Sequence, residues 1–150
     1  MAIITLKTVI NAPVEKCFDL ARSIDLHVHS MKSSKEEAVA GKTSGLIDLN
    51  ESVTWKAWHF GVSFTMTSKI TAMERPHHFV DEMTSGPFRK LHHRHIFKGI
   101  GAQTEMIDIF EFEAPFGFLG TIAETLILKK YMVNLLRKRN LVIKAQADPM

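Results

Sequence analysis

The sequence predicts an α+β architecture: a seven-stranded curved antiparallel sheet wrapped around a long C-terminal helix, with two short helices between strands 1 and 2. Three observations carry this. The hydrophobic period changes from helical to alternating near Lys35 and returns to helical after Pro115 and Gly117. The breaks between the extended runs are short, which suits antiparallel neighbours and not parallel crossovers. The last thirty or so residues carry apolar positions at helical spacing.

The elements follow in order. Ile3 to Ile10 reads as the first strand, with Ile4, Leu6, Val9 and Ile10 apolar. Asn11-Ala12-Pro13 ends it and opens a helix, with Pro13 in the first turn, where a missing N–H costs nothing. Val14, Cys17, Phe18 and Ala21 then make one apolar stripe. Ser23 reads as the cap of a second helix to about Met31, with Ile24, Val28 and Met31 inward. Six strands follow, at 36–40, 49–59, 62–73, 79–84, 91–97 and 104–113. They are separated by Gly41–Gly45, Phe60-Gly61, Arg75-Pro76, Ser85-Gly86-Pro87 and Gly99–Gly101. On the terminal helix Leu119, Ile122, Leu126, Val133, Leu136 and Ile143 form one stripe. Leu128, Met132, Leu135 and Val142 form a second.

Composition narrows the function classes. A chain of 150 residues, 45% hydrophobic and 23% charged, suits one globular domain spanning 1–150. No apolar run is long enough for a transmembrane helix, and the opening MAIITLKTVI reads as mature protein, without a signal-peptide pattern. Cys17 is the single cysteine, so an internal disulfide is excluded and a reducing cytoplasm is the expected location. A net charge of +3 gives no argument for nucleic acid. No phosphate-cradling glycine loop, CxxC pair or HExxH is present. The cations Lys129, Lys130, Arg137, Lys138, Arg139 and Lys144 read as a solvated face complementing the helix dipole.

Pleat phase selects the candidate site. A tight turn at Phe60-Gly61 pairs Ala57 with Phe64 and Trp55 with Met66 on the concave face, with His59 in the same phase near the rim. Met106, Phe110 and Phe112 share the inner face of the last strand and carry Asp108 inward. A four-residue loop at Gly99–Ala102 would set His95 opposite Met106 and His93 opposite Asp108. The stretch KLHHRHIF then divides, with Leu91, His93, His95 and Phe97 inward. Asp81 is inward if Phe79 and Met83 are. Two histidines at i, i+2 are close enough to share a metal with His59 or Asp108. The simpler reading is structural or ligand-orienting, with Asp108 as partner to His93, so no metal and no cofactor is expected. His27, His29, His77 and His78 read as surface or helix-edge residues.

The stretches INAPVEKCFDL, TSGLIDLNESVTWKAWHFG, MTSKIT, PHHFVDEMTSGPF, HRHIF and LILKKYMVNLLRKRN span nearly the whole chain. Together they resemble the START-like, or Bet v 1-like (SRPBCC), superfamily of helix-grip domains, within it a bacterial polyketide-cyclase-like ligand-binding branch. The resemblance implies a deep hydrophobic cavity between sheet and terminal helix. It also matches two histidines flanking a charged residue, here Arg94, where the family more usually has glutamate. Since fold does not dictate chemistry, three functions follow. The first is non-catalytic binding of a small hydrophobic or aromatic molecule by Trp55, His59, Phe64, Met66, Asp81, Met83, His93, His95, Met106 and Phe110. The second is a cyclase or aromatase in which His93, with Asp108 behind it, moves a proton. The third is an interaction module, a homodimer in its simplest form, using the second helix stripe or exposed Trp58 and Phe60.

Overall fold

In the computed structural model, residues 1–114 and 121–148 are described, the first five of the second segment by backbone alone. Strands β1 (Ala2–Ile10), β2 (Glu37–Gly41), β3 (Ser52–His59), β4 (Val62–Glu74), β5 (His78–Ser85), β6 (Lys90–Ile100) and β7 (Gln103–Glu113) form one antiparallel sheet. Helices α1 (Val14–Ala21) and α2 (Ile24–Ser30) follow β1, and α3 (Thr121–Ala147) closes the chain. The spatial order β1-β7-β6-β5-β4-β3-β2 is a meander whose first strand folds back beside the last. β3 starts at Ser52 and not Leu49, because Asp48 to Glu51 make a turn: Glu51 N–H donates to the Asp48 carbonyl at 3.1 Å.

Local chemistry accounts for the elements. Ser23 caps α2, its hydroxyl accepting from the Leu26 amide at 3.2 Å. The β3–β4 turn takes two successive positive φ angles, 54° at Phe60 and 73° at Gly61. That matches the right-handed twist of the flanking strands and produces the expected pairs Ala57–Phe64 and Trp55–Met66.

The β6–β7 hairpin differs from expectation by two residues. Its turn is Gly101-Ala102, so Ile100 pairs with Gln103, His95 faces Asp108 and His93 faces Phe110. The difference lies in the loop length, since Gly99 and Ile100 extend the strand. An even slip preserves which face each side chain occupies. Leu91, His93, His95 and Phe97 are therefore buried, while Lys90 and Arg94 are exposed.

Two apolar clusters fill the space between sheet and helices. One joins Ile10, Cys17 and Phe18 to Phe79, Phe97 and Ile143. The other joins Ile4, Leu91, Phe110 and Phe112 to Leu136. Phe88 lies in the loop before β6 with its ring 5.5 Å from Phe112, so its parity does not conflict with the strand phase. On α3 the first predicted stripe holds at Leu136 and Ile143, whereas Leu126 is exposed. Leu119 and the Ile122 side chain lie outside the described residues.

Candidate functional site

Between the concave face of the sheet and α3 lies a cavity of about 530 Å³. Its walls are mostly apolar, with Trp55, Ala57, Phe64 and Met66 from β3 and β4, and Leu91 and Phe110 from β6 and β7. Leu128, Met132, Leu135 and Leu136 of α3 complete them. Leu128, Met132 and Leu135 of the second helix stripe therefore face the cavity and not an outward interaction surface, while Val142 is half-buried outside the lining. Of the sequence-selected residues, His59, Asp81, His93 and His95 also line the cavity. Met106, fully buried in the first cluster, and Met83, packed against the second, lie outside the lining.

At the inner end, six polar side chains form one network. Asp108 is completely buried, and its Oδ1 accepts from His93 Nε2 at 2.7 Å and from Arg139 Nη1 at 3.1 Å. Its Oδ2 accepts from the Asn140 amide at 2.8 Å. His95 Nε2 lies 2.6 Å from Asp81 Oδ2, and Arg139 Nη2 donates to His95 Nδ1 at 3.1 Å. Arg139 Nη1 also donates to Asn140 Oδ1 at 3.0 Å. The His93 and His95 rings stack at 3.7 Å, and Phe79 covers the other side of His95 at 4.1 Å.

The hydrogen bonds fix the proton positions. A guanidinium only donates, so Nδ1 of His95 is an acceptor and its one proton sits on Nε2, directed at Asp81. His93 likewise donates from Nε2 to the Asp108 carboxylate. Burial, reinforced by the neighbouring His93 and Arg139, pushes His95 down to about 3 against the opposing pull of Asp81. Burial alone would raise Asp81, but the His95 hydrogen bond and the surrounding positive potential outweigh it and hold the carboxyl at about 2. Asp108 lies still further below the ordinary carboxylate range. There too burial opposes ionisation, and Arg139 and His93 prevail. The inner end thus contains two carboxylates, one guanidinium and a neutral His95.

Asp81, His93 and His95 also form a trio whose ligating atoms lie within 4.8 Å of one another. Its hydrogen bonding does not suit a metal. Coordination through His95 Nε2 would remove the ring's only proton while Arg139 still donates to Nδ1, and the arginine's charge would oppose the cation. His59 and Asp108, the other candidate ligands, are engaged by Tyr131 and by the Arg139–Asn140 pair.

The outer part of the cavity has two separate pairs. His59 Nδ1 lies 2.6 Å from the Tyr131 hydroxyl, with the Phe60 ring 4.6 Å from the tyrosine. Burial lowers the His59 pKa and raises that of Tyr131. His27, expected at a helix edge, instead lies 4.4 Å from the Trp55 ring, bonds Glu36 at 2.8 Å and lines the cavity. His29 and His77 are exposed and His78 is half-buried, in line with the surface expectation.

Arg139 and Asn140 are the residues that sequence reasoning misses. Arg139 reads in the sequence as one of the solvated cations, yet it is only 4% exposed. A signal is there: Arg139 falls four residues after Leu135 and seven after Met132, on the stripe that faces the cavity. Arg22, also lining the cavity, is buried against Asp19 and Asp48 at 2.9 and 2.6 Å.

This architecture is the START-like, Bet v 1-like helix-grip fold. The aromatase/cyclase Zhui from Streptomyces sp. R1128 superimposes with a TM-score of 0.76 at 12% identity, covering 97% of this chain and 93% of its own. TTHA0849 from Thermus thermophilus gives 0.75 at 18% identity, covering 98% and 100%. A START superfamily protein from Mycobacterium smegmatis gives 0.73 at 12% identity, covering 97% and 96%. No family model and no curated protein sequence matches the chain. Among the described residues, no helix is long and apolar enough to cross a membrane.

Proposed function

We propose that residues 1–150 form a single binding domain that holds a small hydrophobic or aromatic molecule in the cavity without transforming it. The observation that carries this reading is the cavity itself. At about 530 Å³ it falls within the range of ligand sites, and its mostly apolar walls carry polar groups at the inner end and in separate pairs farther out. Trp55, Phe64, Met66 and Phe110 supply apolar contact. Asp81, His93 and His95 orient the ligand from the inner end, and His59 contacts it near the mouth. Met83 and Met106 act as backing for the wall. A cytoplasmic location, no nucleic-acid partner and no resident cofactor complete the proposal.

Native mass spectrometry of protein purified without added ligand tests it. The expected result is one small organic molecule per chain, or its uptake from a panel of apolar aromatics. A bare chain that takes up none of them would contradict the reading.

A second reading is supported by the 2.7 Å bond from His93 to Asp108, which orients an imidazole as a general base does. On that reading the domain is a cyclase or aromatase acting on a polyketide-like substrate, a chemistry named for one structural neighbour. Turnover of such a substrate, abolished in His93→Ala with binding retained, would establish it. A dimeric interaction module has less support: it rests on exposed Trp58 and Phe60, and Phe60 also lines the cavity.

A further inference from the structure

The proton arrangement at the inner end narrows the ligand class, and this step rests on the binding reading above. Asp81 lines the cavity as an ionised carboxylate, and among the described residues only its Oδ2 has a partner. Its Oδ1 accepts and cannot donate. His93 also lines the cavity and gives its Nε2 proton to Asp108. With the ring's proton on Nε2, Nδ1 is left as an acceptor, 3.9 Å from Asp81 Oδ2. These two acceptors are held side by side by the pairing of Asp81 with His93 across β5 and β6.

The donors nearby are largely committed. Four N–H directions of Arg139 go to Asp108, Asn140, His95 and the Ala21 carbonyl. The proton of His95 goes to Asp81. Ser68, which also lines the cavity, has a hydroxyl that serves in either sense. Charge points the same way. Arg139 compensates Asp108, which leaves Asp81 as the carboxylate facing the chamber at the inner end; Glu36, which also lines the cavity, is bonded to His27.

We propose that the cavity selects molecules whose polar group is a hydrogen-bond donor, a hydroxyl or a protonated amine on an apolar aromatic body, and discriminates against ethers and carboxylates. An ether oxygen or a carboxylate placed there meets two acceptors and leaves all of them unpaired in an apolar chamber.

The test uses four probes sharing one ring system: naphthol, naphthylmethylamine, methoxynaphthalene and naphthoate, titrated calorimetrically into the full chain. Naphthol and naphthylmethylamine should bind at least about tenfold more tightly than the other two, the scale of one satisfied buried hydrogen bond. In Asp81→Asn, which keeps an oxygen for His95 and supplies an N–H, the amine preference should collapse and methoxynaphthalene should gain. Methoxynaphthalene or naphthoate matching naphthol on the natural chain would overturn the selectivity while leaving the binding reading intact. An amine preference unchanged in Asp81→Asn would overturn the role of Asp81. Binding of none of the four would overturn the binding reading and this inference together.

Discussion

The inner and outer parts of the cavity both use histidine paired with a hydrogen-bonding neighbour, yet the two pairings work differently. At the inner end His93 and His95 are nearly inaccessible and belong to a network of two carboxylates and a guanidinium, in which nearly every proton is assigned. At the mouth His59 meets one neutral hydroxyl, and the adjoining Phe60 is exposed. Burial makes the difference. Where water is excluded, each polar group must be answered by another, so the network is fixed and costly to disturb. Where water reaches, a lost partner is replaced by solvent.

The largest test of this contrast is Arg139→Met. It leaves Asp108 buried without its counter-charge and should lower unfolding stability by about 3–5 kcal/mol, the usual cost of breaking a buried pair from one side. Denaturant unfolding measures this. A loss no larger than that of Tyr131→Phe would erase the distinction between the two ends.

Next is His95→Phe, which deprives both Asp81 and Arg139 of a partner and should cost roughly 1–3 kcal/mol. It should also alter the pH dependence. The unfolded chain takes up a proton on His95 near the ordinary value of 6.5, whereas the folded chain resists until about 3. Between those values the unfolded state binds more protons, so stability falls as pH falls. This one group contributes up to roughly 1.4 kcal/mol per pH unit. Asp81 adds its own loss only lower, as pH drops from 3.8 toward about 2. Unfolding curves of the variant should lack the first component and so fall less steeply in that window. Identical slopes would mean that His95 is not held neutral.

The outer end should respond weakly. Gly61→Ala has open space for the methyl group, so its cost is only that of a positive φ, about 1–2 kcal/mol. Tyr131→Phe should cost less than about 1 kcal/mol, because water can reach the freed His59 nitrogen. Thermal unfolding of both variants checks the ranking.

The same contrast explains what is legible in the sequence. Strand phase is readable because alternation has a period of two, so Trp55, Phe64, His93 and Asp108 fall on the concave side even with the β6–β7 register off by two residues. Partners are less readable. The expected match of Asp108 to His93 rests on a wrong register, and the bond forms diagonally, because His95 is the residue directly opposite. Asp81 as the partner of His95 depends on β5–β6 register, which the Ser85-Gly86-Pro87 break does not specify, because pairing starts only at Glu82 and His92. Arg139 is misassigned because it sits among Arg137, Lys138 and Lys144, where charge suggests solvent and only the helical period indicates the interior. His27 is missed for a similar reason: a short helix gives little phase, and its contact with Trp55 is long-range.

The central claim is that the inner end offers two acceptors, Asp81 Oδ1 and the Nδ1 nitrogen of His93, to a ligand in the cavity. Two-bond nitrogen–proton NMR of the histidine rings tests this most directly, in mildly alkaline buffer before and after saturation with naphthol. The account predicts protons on Nε2 of both His93 and His95, and a His93 Nδ1 resonance that shifts as it accepts from the added hydroxyl while His95 changes little. A proton on Nδ1 of either ring, or a His93 signal unmoved by bound naphthol, would contradict it.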